Sequence, residues 1–420
     1  HRRTPLFSPS ARPARRPLPL RHCPLPSMPL TASSICPKLP CLDAPSLSSR
    51  SFCHFSTSNS LLVQSLSPRS CSLMCKASTE SGFRWAKDAT SPRMTSKHIL
   101  PDDKKPMLSD VSRCCIPVID MDSPTSVAIK SIASACEEYG FFQIINHKVP
   151  RELCESMLDA VVDLFHLPPE DKALLYSDDS MKNVRICHHY RTDQATKEKI
   201  PLWSEVFKHS WHPVDDFTDT LPVNPPQFRE VIALYAKHIG SLMTSLLSFM
   251  SQGLGLHADC LEHRIGENPT YRAQANYYPP CPNPELTLGL GVHTDRDVLT
   301  VILPTPEVQG LQVMKNEKWI VVDPIPGALI VNLGDQLQVL SNGRYRSVLH
   351  RAVTNKTQTR VSLAMFYGPS KDAVIGPIEH LIDERHPPKY RSYRFSEFLN
   401  EFRRQEGNRR RVKEVFELHG

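Results

Sequence analysis

From Tyr271 onward the chain breaks into short alternating runs divided by turn formers, and this pattern limits the fold more than any other feature. The runs are Tyr271–Tyr278, Gly289–Thr294, Leu299–Leu303, Leu311–Met314, Trp319–Val322, Ala328–Asn332, Ser347–Thr354 and Arg360–Tyr367. Gly310, Asn316, Gly327, Asn342-Gly343 and Asn355 fall between them. A period of two with Gly and Asn punctuation predicts strands. So many short strands predict a jelly roll of the cupin kind, a double-stranded β-helix.

Upstream the period changes. Ile116–Asp120 reads as a strand, and Ser123-Pro124 as a helix start with Ser at the cap. Ile129, Ile132, Ala133 and Cys136 make an apolar stripe, and Gly140 ends that helix. Phe141–Asn146 returns as a strand, and Arg151–Phe165 as a second helix. Ser177–Ser210 shows no period and reads as irregular. Asn224-Pro225-Pro226 opens a long helix whose Phe228, Ile232, Tyr235, Ile239, Leu242, Leu246 and Phe249 recur every three or four residues. Phe395–Arg404 and Val412–Leu418 read as closing helices. The expected fold is therefore mainly β with flanking helices (α+β). Residues 113–256 form an N-terminal α/β cap with a bracing helix, and 257–420 the barrel.

Residues 1–79 differ in kind. They are rich in Ser, Pro and Arg, and Asp43 is their only acid. The chain begins with His1, so residues 1–27 read as leader sequence, and from Met28 the composition is that of a chloroplast transit peptide. The alternative is a featureless low-complexity extension on a cytoplasmic protein. Residues 80–112 read as a polar linker. The net charge of +6 is small for 420 residues and lies largely in the tail and in Arg409-Arg410-Arg411, so it points to no nucleic acid. No uninterrupted apolar run approaches the roughly 20 residues of a bilayer span. Six of the 13 cysteines fall in the first 75 residues, and the rest show no metal-type spacing.

Two residues apart on a strand share a face. His293 and Asp295 would project together, and His350 would lie on a later strand. Arg360, Ser362, Ala364 and Phe366 share one face of the next strand, with Val361, Leu363 and Met365 on the other. A hairpin-like return from His350 to Arg360 would set that polar face beside the three donors. Two His and one carboxylate suit Fe(II) with positions left open, and a guanidinium fork suits a carboxylate. With 18 His, about one His-x-Asp arises by chance, and His257-Ala258-Asp259 is a second example. It reads as a helix start, where residues two apart do not share a face. The adjacent His188 and His189 cannot both face one metal from a strand.

His293-Thr294-Asp295, the distant His350 and Arg360-Val361-Ser362 resemble the pattern of the plant 2-oxoglutarate/Fe(II)-dependent dioxygenases. So do Glu138–His147 and Asn276-Tyr277-Tyr278-Pro279-Pro280-Cys281-Pro282. The likeness runs from about Ile116 to Phe416. It implies Fe(II) on His293, Asp295 and His350, 2-oxoglutarate and O₂ as co-substrates, and ascorbate as reductant. Arg360 and Ser362 would anchor the co-acid, with Asn276 and Tyr278 assisting. It further implies oxidative decarboxylation coupled to hydroxylation or desaturation of a small molecule, by a monomer with no nucleic-acid or membrane partner.

Tyr345–Asn355 and Leu174–Asp179 are most similar to the branch holding salicylate hydroxylases and flavone synthase I. That implies a flavanone as substrate, with a phenolic acid second and an alkaloid or gibberellin-like ring third. Phe366, Phe207 and Trp203 are the candidate pocket walls. The rival readings are a non-catalytic cupin-type binding protein, against which Arg360 and Ser362 argue, and an ethylene-forming relative that uses ascorbate in place of 2-oxoglutarate.

Overall fold

The alternating runs close into two sheets, and the space between them holds the candidate site. In a computed structural model, residues 94–106, 111–112, 115–193, 196, 198–213, 217–405 and 411–418 are described. All of them belong to one compact unit, Ser78–Gly420. The transit reading falls on residues outside those described.

The first strands are β1 (Val111–Ser112), β2 (Val118–Asp120), β3 (Phe141–Ile145), β4 (Arg185–Thr192), β5 (Lys199–Ser210) and β6 (Thr270–Tyr278). They are followed by β7 (Leu290–His293), β8 (Leu299–Pro304), β9 (Leu311–Lys315), β10 (Lys318–Val321), β11 (Leu329–Leu333), β12 (His350–Ala352) and β13 (Arg360–Gly368). A five-stranded sheet has the order β1-β10-β9-β12-β7, and an eight-stranded sheet the order β2-β3-β11-β8-β13-β6-β5-β4. Leu311 and Val313 of the smaller sheet pack on Phe141, Ile302, Ile330, Ala364 and Phe366 of the larger, which joins the two as a jelly roll.

The outer face of the large sheet is equally apolar. Val361, Leu363 and Met365 of β13 and Ala273 and Ala275 of β6 lie in one core with two helices. These are α2 (Arg151–Phe165), through Met157, Val161 and Leu164, and α4 (Phe228–Gly253), through Ile232, Ile239 and Leu246. Each such side chain removed from water contributes roughly 1.5–3 kcal/mol, which explains why the strands facing them read as almost continuously apolar. α4 has the length and mean hydropathy of a membrane span, yet its stripe Phe228 to Met250 is buried in this core. α1 (Thr125–Glu138) precedes β3, and α3 (Pro169–Leu175) precedes β4. α5 (Cys260–Ile265), α6 (Asp335–Leu340) and α7 (Phe395–Arg404) complete the helices used below.

Several expectations are corrected. Ser177–Ser210 is not irregular: β4 and β5 form an antiparallel pair with a bulge between His188 and Tyr190. The bulge breaks the alternation, and polar lumen residues interleave with outer core ones. The return from His350 to Arg360 is no hairpin, because β12 belongs to the small sheet and β13 to the large one. The cap does not separate from the barrel at 256, since β3 pairs with β11 and β5 with β6. The end of the supposed linker is sheet, β1 running parallel to β10. Pro124, not Ser123, stands at the start of α1, and the second closing helix shortens from Val412–Leu418 to a four-residue 3-10 helix, Lys413–Phe416.

Candidate active site

β7 and β12 run antiparallel, and their register sets His293 directly opposite His350. Their ring centroids lie 4.1 Å apart. Each imidazole donates its Nδ1–H to a carbonyl two residues back, His293 to Gly291 at 2.8 Å and His350 to Val348 at 3.2 Å. That fixes the tautomer, so the lone pair of each ring lies on Nε2.

Asp295 lies just past the end of β7, so the shared strand face expected for His293 and Asp295 is made by the turn instead. One carboxylate oxygen, Oδ2, accepts from the Thr300 hydroxyl at 2.6 Å and the Asn332 amide at 2.7 Å. The other, Oδ1, stands 3.7 Å from Nε2 of His293 and 3.7 Å from Nε2 of His350. Burial pushes the Asp295 carboxyl up, but His350, His293, Thr300 and Asn332 outweigh it and hold the group below the usual carboxylate range. One donor atom from each residue falls within 4.8 Å of the others. The two imidazole Nε2 atoms and the carboxylate Oδ1 fit one divalent ion. His257 is exposed and faces Asp259 outside this site.

Thr300 and Asn332 were not singled out in the sequence. They are cross-strand partners on β8 and β11. Their signal is a polar residue inside an otherwise apolar strand.

The row through them continues along one face of the large sheet: Phe141 opposite Asn332, Thr300 opposite Phe366, and Phe366 opposite Arg272. The same face carries Arg360 opposite Tyr278 and Ser362 opposite Asn276. Arg360 is buried, which lowers its pKa, while Tyr278 raises it through charge and a hydrogen bond. The guanidinium lies 5.2 Å from the Tyr278 ring centre, and its Nε has no partner among the described residues. An orphaned N–H on a buried fork suits a carboxylate.

Two glycines make this corner possible. A Cβ on Gly310 would stand 2.7 Å from Cδ of Arg360, and one on Gly289 would stand 2.4 Å from the Tyr278 ring. Asn276 donates to Ser362 at 3.4 Å and meets Nε2 of His189 at 3.3 Å. The bulge turns His189 to this side, while His188 bonds the Ser204 carbonyl. Neither is among the clustered metal donors.

Of the candidate pocket walls, Phe366 lines the lumen with the Arg272 guanidinium 4.6 Å over its ring. Phe207 does not reach the lumen. Alternation along β5 sends it outward, where it is fully buried against Phe228 of α4 at 5.8 Å. Trp203 is also fully buried, its indole N–H donating to the Pro280 carbonyl and its ring meeting His98 edge-on at 5.2 Å. Both serve as packing.

The comparisons agree with this geometry. Residues 271–369 match the family described as the 2OG-Fe(II) oxygenase superfamily. Residues 116–228 match the N-terminal region of the non-haem dioxygenases of morphine synthesis. Flavanone 3-dioxygenase 2 of Oryza sativa subsp. japonica is 39% identical over 328 residues, covering 78% of this chain and 95% of that protein. Protein DMR6-LIKE OXYGENASE 1 of Arabidopsis thaliana is 41% identical over 321 residues, covering 75% and 90%. Among solved structures, JOX2 in complex with 2OG, Fe and JA is 33% identical with a TM-score of 0.70, covering 80% of this chain and 96% of that one. The chain is a plant oxidoreductase that belongs to the 2-oxoglutarate/Fe(II)-dependent dioxygenases, and it uses Fe(II), 2-oxoglutarate and O₂.

Proposed function

We propose that His293, Asp295 and His350 hold the ferrous ion, that Arg360, Ser362, Tyr278 and Asn276 hold 2-oxoglutarate, and that the chain hydroxylates or desaturates a small flat aromatic metabolite. The observation that carries this reading is the division of labour within Asp295. One oxygen is tied to Thr300 and Asn332, and the other faces both imidazoles.

Bound Fe(II), with 2-oxoglutarate and O₂, supplies an oxidant able to break a C–H bond, the co-acid leaving as succinate and CO₂. The chain's own groups orient and exclude. The Gly291 and Val348 carbonyls hold the imidazole rings in place. The Arg360 fork takes the distal carboxylate of the co-acid, with hydroxyls of Ser362 and Tyr278 beside it. Ile302, Ala364 and Phe366 make a dry wall. No side-chain acid or base is required for hydrogen removal, so positioning is the protein's contribution.

Flavanones are one candidate substrate class, supported by the likeness to flavanone 3-dioxygenase 2 and to the flavonol synthase/flavanone 3-hydroxylase of Arabidopsis thaliana, 38% identical over 287 residues. Phenolic acids are the other, and the basic side chains described below favour them. The same reading takes residues 1–79 as a plastid-targeting segment, the working unit as a monomer and ascorbate as the reductant.

The test supplies the chain from residue 80 onward with Fe(II), ascorbate, 2-oxoglutarate and a panel of flavanones and phenolic acids, and follows succinate and product mass. Substrate-dependent succinate with a product heavier by one oxygen, or lighter by two hydrogens, supports the reading. Succinate release that no aromatic compound stimulates sinks the substrate assignment. Turnover without 2-oxoglutarate sinks the co-acid assignment.

A further inference from the structure

The lumen face of the large sheet carries basic groups that the chemistry above leaves unused. Lys208 on β5 stands opposite Gln274 on one side and Arg185 of β4 on the other. Arg272 lies two residues from Gln274 on β6, opposite Ser210 and Phe366. By alternation all of these share the face of Asn276 and Ser362. His189 joins them, since its contact is with Asn276 and its largest charge influence is Lys208.

The acids do not balance this set. Asp297 pairs with Arg272 and stands 3.8 Å from Arg296. Arg185 donates to the carbonyls of Ser180 and Lys182. Among the described residues, the Lys208 ammonium makes no hydrogen bond and no ion pair. Burial, then Arg185, Arg272 and Arg296, press its pKa down, and only the Cys187 thiol opposes them. A cation so placed favours whatever anion enters beside it.

Position separates this group from the co-acid anchor. Gln274 and Tyr278 are four residues apart on β6, about 13 Å at strand rise. The basic group therefore sits at the other end of the lumen from Arg360. From Thr300, which holds Asp295, to β5 is three strand spacings, about 14 Å across the sheet. Phe366 and Arg272 lie along that path, room for one aromatic scaffold.

Resting on the proposed aromatic oxygenase activity, we infer that its substrate carries an anionic group, a carboxylate in the simplest case, that docks on Lys208 with Arg185 and Arg272 flanking it. The ring then lies over the Phe366 and Arg272 row with its reacting carbon toward the three metal donors. Lys208 is a specificity residue: it selects the charged member of a matched pair.

The first arm measures binding, without O₂, on the protein carrying Fe(II) and 2-oxoglutarate. The probes are 2-hydroxybenzoate and its uncharged amide. The acid should raise the melting temperature of the wild type and not of Lys208→Met, while Lys208→Arg keeps the effect and the amide has little in any form. Equal shifts from acid and amide, or an undiminished shift in Lys208→Met, overturn the inference.

The second arm measures turnover. For a converted acid, Lys208→Met should raise KM by about tenfold or more, the scale of one charge-assisted contact, and leave the KM of the amide nearly unaltered. A flavanone sulfate compared with its parent flavanone distinguishes a conjugate from a simple acid as the source of the charge. Conversion of the parent flavanone with both anions refused overturns the inference and leaves the aromatic oxygenase standing. Lys208-dependent binding of the acid with no aromatic compound converted does the reverse.

Discussion

Lys413 reaches back across 78 residues of sequence to set its ammonium 3.0 Å from the Asp335 carboxylate. The same carboxylate accepts from Ser347 at 2.8 Å and from Thr294 at 3.2 Å, and the Asp335 amide donates to the Asp295 carbonyl at 2.7 Å. Gly334 permits this approach, since a Cβ there would collide with the Asp297 carbonyl. Asp335 thus ties the turn after β7, the segment before β12 and the C-terminal turn into one node. Replacing it with Ala frees the Thr294 hydroxyl and leaves the Lys413 ammonium with the Ser347 carbonyl alone. Ferrous titration should show affinity lower by about tenfold or more, the usual cost of losing a group that orients metal ligands. An unchanged affinity would refute the link.

The metal assignment separates His350 from the decoy. His350→Ala removes a buried donor and should abolish both iron binding and turnover, whereas His257→Ala, on an exposed side chain, should leave iron content unaltered. Iron retained at one equivalent in His350→Ala would overturn the ligand set.

Gly310→Ala tests the co-acid corner without touching a polar group. The new methyl would crowd Arg360. The fork must tilt, and the apparent affinity for 2-oxoglutarate should fall by roughly ten- to a hundredfold, as for the loss of a charged hydrogen bond at about 1.5–3 kcal/mol. Iron affinity should hold. The idea fails if 2-oxoglutarate saturates this variant as it does the wild type.

Acid sensitivity should trace in part to His209. Burial pushes its imidazole down from 6.5 to about 4, against a small opposing effect of the Ser210 carbonyl. Its Nε2 has no partner among the described residues, and its ring stacks on Phe217 at 6.1 Å. The folded state therefore refuses a proton that the unfolded chain accepts. Stability is full above the unfolded value near 6.5 and falls as pH drops toward 4, by on the order of 2–3 kcal/mol. His209→Phe should flatten the slope of melting temperature against pH in that window. A slope as steep as the wild type's would assign the effect to other groups.

Targeting can be decided with a reporter. Residues 28–80 fused to a fluorescent protein should enter plastids, given that Asp43 is the only acid of residues 1–79. A purely cytosolic signal would reject the idea. The active core must begin before Thr95, because His98 packs on Trp203 and Leu100 on Leu202 and Leu288.

The sequence was most readable where a residue type repeats on a strict period. β6, β8 and β13 could be placed almost to the residue because both their faces are covered, and Arg360 and Ser362 fell on one face because alternation admits no other arrangement. His293, Asp295 and His350 were legible as chemistry, since three donors of the right kind stood in strand-like runs.

What lies behind them was harder to read. Nothing in the nine residues between His350 and Arg360 says that the chain changes sheets there. The bulge after His188 shifts the phase of β4, and with it the side on which His189 emerges. Lys208 and Arg272 look in sequence like surface charges, because a strand lining a partly polar lumen alternates in the same way as one facing solvent.

The seating of the triad has a further consequence. His293 and His350 ride on the five-stranded sheet, while the second oxygen of Asp295 is fastened to Thr300 and Asn332 of the eight-stranded one. An ion held by all three is a rivet through both jaws of the barrel. Parting the sheets and letting go of the ion become one event, and occupancy adds to the work of opening by mass action. In a chelating medium, the lifetime of the loaded protein is then set by how often the seam gapes, not by the strength of any single bond at the centre.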